Sequence, residues 1–129
     1  MRGSHDIRVD AHNDLKQRTK QFALRIIRLC QTLRPSDESR ILSNQLLRAA
    51  TSVGANYRAA CRSRSRAEFV AKLGVVLEES DEAVFWLELL VETEIANREK
   101  VLPLLDEANE LTSIFVASLC TAKGVTRIG

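Results

Sequence analysis

The sequence is poor in the residues that build most active sites. Its 129 residues hold two histidines, His5 and His12, both among the first dozen positions. There is no Glu-x-x-His pattern of the kind that binds two metals inside a helical bundle. The three cysteines, Cys30, Cys61 and Cys120, lie far apart with no C-x-x-C spacing. That odd count argues against a disulfide framework or a zinc site, and the thiols read as free, buried groups in a reducing compartment. No glycine-rich phosphate loop is present, and no Ser/His/Asp or Cys/His arrangement can be assembled. No apolar run approaches the roughly 18–20 residues of a membrane span. No signal-peptide core is visible either, so a cytoplasmic location is expected. Strand-type alternation, solenoid repeats and low-complexity runs are all missing. These absences leave no candidate catalytic residue, metal site or cofactor, and the expectation is a protein that is not an enzyme.

What is present is helical. Hydrophobic residues make up 45% of the chain and charged residues 28%, a globular balance. One domain is expected at this length. Five glycines and two prolines leave room for long helices. Leu42, Leu46, Ala49, Val53, Tyr57 and Ala60 step by four, three, four, four and three. Phe69, Leu73, Val76, Ala83, Leu87 and Leu90 form a second such stripe, with Ser80 filling its middle step. This is the spacing of one face of a helix.

Boundaries follow from capping residues. Residues 1–12 are polar and expected to be a disordered tail, and the opening MRGSH reads as an expression-tag remnant. Asn13 is the expected cap of a first helix running to about Leu33, with Leu15, Phe22, Ile26, Leu29 and Leu33 as its stripe. Pro35 stops it, because the residue before proline is pushed out of helical geometry. Ser36 caps a second helix, with Asp37 and Glu38 in its first turn. Ser65, three residues before Glu68, carries a capping-box signature for a third helix starting at Arg66 and running to about Thr93. The turn between the second and third helices is short, which makes them antiparallel neighbours. Asn97 caps a fourth helix, in which Pro103 predicts a kink or restart. Leu104, Ala108, Leu111, Phe115 and Leu119 form its stripe, and Gly124 ends it. The bundle thus spans 13–123, with residues 124–129 as a tail.

The net charge of +2 conceals an asymmetry. Residues 1–66 hold 14 Lys/Arg against 5 Asp/Glu, a net of +9. Residues 67–129 hold 5 against 12, a net of −7. Two readings stand: basic helices pack beside acidic ones within a chain, or a basic face of one copy meets an acidic face of the next. The second is a head-to-tail contact of the kind that closes rings.

Three groups of residues point beyond a simple bundle. Arg58, Arg62, Arg64 and Arg66 cluster at the end of the second helix and the turn after it. They are candidates for gripping phosphates, or for complementing the helix dipole. No aromatic residue interleaves them, so base stacking is not indicated. The segment from Val84 to Val91 is apolar on nearly every side, and a helix apolar all round is buried all round. Phe85, Trp86 and Leu89 are the candidates for a subunit interface, with a core position for the tryptophan as the alternative. Gly54, inside the second helix at a cost of roughly 0.5–1 kcal/mol relative to alanine, suggests close approach by another backbone. Asn56 beside it is a candidate polar hub of helix packing, or a surface residue. Glu78, Glu79, Asp81 and Glu82 form an acidic patch with no metal-ligand partner in the sequence.

The run from Gln45 to Tyr57, with its Ser52-Val53-Gly54-Ala55-Asn56-Tyr57 core, together with Ser65, Phe69, Lys72, Leu73 and Trp86-Leu87-Glu88-Leu89-Leu90, resembles the 23S rRNA intervening-sequence protein family. The resemblance covers about residues 13–123. It implies a small bacterial four-helix bundle assembled as a ring-shaped homopentamer. A distant branch, the accessory proteins of diversity-generating retroelements, binds a reverse transcriptase and nucleic acid through a basic surface. The chain departs from the family pattern at Ala59, Ala71 and Glu78, where an acidic residue, a histidine and a lysine are common. The resulting expectation is an all-α, antiparallel up-down-up-down four-helix bundle forming a cyclic homo-oligomer, with a pentamer favoured. Its expected role is to contact RNA or DNA through the arginine cluster. The alternative is an adaptor ring that binds an unidentified protein partner; no membrane contact is expected.

Overall fold

The computed structural model describes residues 4–124, with side chains from residue 11 onward. Four helices account for almost all of it: α1 (Ser4–Gln31), α2 (Asp37–Cys61), α3 (Arg66–Glu92) and α4 (Arg98–Lys123). No strand occurs among the described residues. α1 packs on α2 and α4, and α3 packs on the same two helices. The contact between α2 and α3 is the most extensive, and that between α1 and α4 the sparsest.

The apolar stripes meet in one core. From α2, Leu46, Ala49, Val53, Tyr57 and Ala60 are buried. From α3, Leu73, Val76, Ser80, Ala83, Leu87 and Leu90 are buried, and the middle serine is closed off with its apolar neighbours. α1 adds Phe22, Ile26 and Leu29; α4 adds Val101, Leu104, Ala108, Leu111 and Phe115. Each large side chain taken out of water contributes about 1.5–3 kcal/mol. Two hydroxyl groups sit inside this core with their bonds made. Thr19 donates to the Leu15 and Lys16 carbonyls of its own helix. Ser80 lies 2.6 Å from Thr112 Oγ1, and Thr112 in turn bonds the Ala108 carbonyl. A buried polar group costs little when it is paired in this way.

The ends of the helices follow local chemistry. Ser36 accepts from the Ser39 N–H, and Ser39 returns the bond, so the box at the start of α2 is closed by a serine. The buried Ser39 hydroxyl also donates to the Arg34 carbonyl and ties down the loop that carries Pro35. Ser65 accepts from the Glu68 N–H, but Glu68 does not return the bond. Its carboxylate instead takes the Arg64 N–H and pairs with Lys72 at 2.9 Å. Asn97 caps α4, and Gly124 ends it in the left-handed region at φ 73°.

Two expectations are corrected. α1 begins at Ser4 and not at Asn13, which lies exposed within the helix. No glycine or proline follows Gly3 there to stop the helix from extending upstream of Asn13. The expectations for residues 1–3 and 125–129 lie outside the described residues. α4 also continues past Pro103 without the restart that is one of the two expectations there. The proline is in the second turn and on the exposed side. The only helix bond it removes is the one to the Glu99 carbonyl, which sits at the wet end of the helix. One strained residue was not foreseen: Glu94, just past α3, has φ 61°.

Three outcomes follow in denaturant or thermal unfolding. Glu94→Gly raises stability by about 0.5–1 kcal/mol, because glycine holds the left-handed conformation at no steric cost. Pro103→Ala raises it by about 1 kcal/mol or more by restoring a helix bond. The third depends on pH. Lys72 and the Arg64 N–H hold the Glu68 carboxyl below the usual carboxylate range. A carboxyl depressed on folding stabilises above its unfolded value, and that contribution fades as pH falls through the folded value. Glu68→Gln therefore melts lower than the parent at about pH 7, and the two melt together at about pH 2.

Candidate functional site

The charge asymmetry is partly answered inside the chain. Arg18 on α1 grips Glu107 on α4 with two bonds of 2.8 Å, and reaches Glu110 at 3.1 Å. Those contacts, the Glu107 bond first, push the Arg18 guanidinium further toward the charged form. Arg48 on α2 bridges Glu82 at 2.6 Å and Glu79 at 3.1 Å on α3. Two of the four carboxylates of the acidic patch on α3 are thereby engaged, sharing one positive charge. Glu78 and Asp81 remain exposed and make no ion pair among the described residues. No three His, Cys, Asp or Glu side chains among the described residues come together as metal ligands.

The arginine cluster divides. Arg58 and Arg62 lie one turn apart at the C-terminal end of α2, and Arg64 follows in the turn. All three are exposed, and none has an acidic partner among the described residues. Arg66, on the first turn of α3, is committed elsewhere: its Nε donates to the Ala122 carbonyl in the last turn of α4. There a cation meets the negative end of a helix dipole. Burial pushes the Cys61 thiol up, against weaker opposing effects of a Tyr57 hydrogen bond and of the Lys16 charge on α1. Positive charge from α1 thus adjoins the end of α2 that carries Arg58 and Arg62.

The helix-packing residues lie on the same helix. A methyl group added to Gly54 would stand 3.6 Å from the Thr19 carbonyl oxygen, so the α1 backbone runs close over this position. Asn56 is half-buried and makes no side-chain hydrogen bond among the described residues. All three cysteines are free and half-buried. Burial pushes the Cys30 thiol up, against a weaker opposing hydrogen bond from Ser43.

The three aromatic and aliphatic candidates on α3 differ in placement. Phe85 is 51% exposed. Trp86 and Leu89 are half-buried, and Trp86 packs on the core. The Phe85 and Trp86 rings meet edge-on, with centroids 5.0 Å apart. The Trp86 Nε1–H is shut off from solvent with no acceptor among the described residues. Ile41 on α2 and Val75 on α3 are the other large apolar side chains in the open. Sequence reasoning did not pick out the Arg18 and Arg48 pairs. The signal for them is acidic residues at i and i+3 on the facing helix, at positions 79 and 82 and at 107 and 110.

The comparisons with known proteins agree on one family. The family model described as 23S rRNA-intervening sequence protein matches residues 11–117. The chain is also similar to a crystal structure from Bacteroides thetaiotaomicron, a protein of unknown function from the S23 ribosomal protein family. The two share 36% identity over 81% of this chain and 96% of that one, with a TM-score of 0.75. None of the curated proteins matches. No helix among the described residues is long and apolar enough to cross a membrane. With the match spanning most of the chain and the fold shared with a family member, the protein belongs to the 23S rRNA-intervening sequence protein family.

Proposed function

We propose that this protein is a non-enzymatic, homo-oligomeric scaffold that contacts RNA through the α2–α3 turn. Its helices run up-down-up-down, in keeping with the short connections between them and with Arg48 lying opposite both Glu79 and Glu82. The observation that carries the RNA reading is the contrast between two sets of arginines. Arg18 and Arg48 are neutralised by carboxylates, whereas Arg58, Arg62 and Arg64 stand exposed and unneutralised at one end of the bundle. Guanidiniums in that state bind phosphate without first giving up an internal partner. Arg66 contributes positive potential at the edge of this group. The family's name, which ties it to insertions in 23S rRNA, favours RNA over other polyanions.

Assembly is the second half of the proposal. Phe85 projects from α3, and Leu89 lies one turn along from it. A contact over this face covers both residues and joins them to the half-buried Trp86. The exposed acids Glu78 and Asp81 lie on the same helix, and a head-to-tail contact sets them against a basic face of the next copy. By family resemblance the closed form is a pentamer. An adaptor ring that binds a protein through the Phe85 face is the competing reading, and the exposure of that ring favours it.

RNA affinity distinguishes the two. With three to four phosphates neutralised on a single strand, raising salt from about 50 to about 200 mM weakens binding roughly twenty- to fiftyfold. Combining Arg58→Glu, Arg62→Glu and Arg64→Glu removes most of that dependence, whereas Arg18→Gln leaves it intact. Fluorescence anisotropy with a labelled single-stranded RNA reads both, and affinity that is absent or insensitive to salt rejects the RNA reading. For assembly, Phe85→Glu with Leu89→Lys yields smaller species by light scattering with helix content retained. Leu87→Ala instead costs about 2–5 kcal/mol of stability, because Leu87 is core. An unchanged mass for the Phe85 and Leu89 variant shows that this face is not the interface.

A further inference from the structure

The described residues leave a recess at one end of the bundle. A cavity of about 600 Å³ opens where the early part of the described α1, the last turns of α2 and α4 and the first turn of α3 come together. Well-packed interiors leave few voids larger than a water molecule, whereas sites for small ligands fall in roughly this size range. The space has a cause in the sequence. α1, α2 and α3 bring rings to it: His12, Tyr57 and Phe69. Among the described residues, α4 lines it with Ala117, Ser118, Thr121 and Ala122. Residues spaced at i, i+1, i+4 and i+5 share one helix face, so the small side chains form a continuous recess.

The walls and rim define a ligand chemistry. The His12 ring stacks on Phe69 at 6.3 Å between centroids and meets Tyr57 edge-on at 6.5 Å. A planar ring can enter such a setting and find both face and edge partners. Among the described residues, Arg66 is the one cation at the rim and no carboxylate lines the cavity. The Arg66 Nε is committed to the Ala122 carbonyl, which anchors the guanidinium at the mouth. Its two terminal nitrogens make no hydrogen bond among the described residues, and they present the parallel donors that match a carboxylate. Ser118 and Thr121 add hydroxyl groups beside it.

We propose that this cavity binds a small aromatic carboxylate. The ring lies between the Tyr57–Phe69 wall and the small-residue face of α4, and the carboxylate meets the Arg66 terminal nitrogens. The site shares only Arg66 with the RNA reading and does not use Arg58, Arg62 or Arg64.

Titration calorimetry of the full chain with three probes tests it. Phenylacetate has about ten non-hydrogen atoms, which sets its expected affinity near the millimolar range. Phenylacetamide, with the charge removed, binds at least about tenfold more weakly, and acetate, without the ring, gives no heat. Arg66→Gln brings phenylacetate down to the level of the amide. Ala117→Phe fills the recess and abolishes binding, and Ser118→Leu does so independently if the first variant folds poorly by circular dichroism. The proposal is overturned by any of three results: no phenylacetate binding, equal binding of acid and amide, or binding that survives both filling substitutions.

Discussion

Everything in this protein depends on α2 and α3 burying their stripes against each other while α1 covers α2 and α4 covers α3. In proteins most of a helix's stability comes from packing its apolar face and not from intrinsic propensity. Leu46, Ala49 and Val53 from one helix and Leu73, Val76 and Ala83 from the other are fully buried. The small residues among them draw the helices close, and larger ones from α1 and α4 fill the remainder. Close approach recurs at Gly54, where the absence of a side chain lets the Thr19 main chain lie over α2. The Thr19 hydroxyl can be buried at that contact because its own helix satisfies it.

Electrostatics is layered on this frame and does not create it. Arg18 and Arg48 stitch basic helices to acidic ones, each through two carboxylates one turn apart. Partly exposed pairs of this kind contribute modestly to stability. Their larger effect is on where charge is left over. Once they are formed, free positive charge gathers at the C-terminal end of α2 and free negative charge on the outer side of α3. A chain of nearly balanced net charge therefore keeps two unlike surfaces, and the functional proposals concern those surfaces and the adjoining cavity.

Much of the architecture was legible in the residues. The stripes on α2 and α3 predicted the buried set almost residue by residue, including Ser80. Ser36, Ser65, Asn97 and Gly124 marked boundaries because capping is a local interaction between neighbours in the chain. Local rules also misled in identifiable ways. A plausible cap at Asn13 hid a helix that starts earlier, since a cap residue can equally sit exposed within a helix. Pro103 predicts a kink or restart, but its position in the second turn leaves only one bond to lose, and the helix does not restart there. Glu94 carries no signal of its left-handed backbone, because the geometry is imposed by the turn between α3 and α4. Of the candidate residues, the arginines were legible as a cluster. That Arg66 turns to the end of α4 was not, because Ala122 is 56 residues away.

By itself the sequence determined that there are four helices, which face of each is apolar, and where most of them end. Those properties depend on side-chain spacing and on contacts within a turn or two. It also determined the family, through motifs that survive as linear patterns. The tertiary structure decided which charges cancel, which apolar side chains stay in the open, and that the small face of α4 lies opposite three rings and leaves a cavity. Each of these depends on residues brought together from different helices. No linear spacing records such distances; they follow only from how the four helices pack.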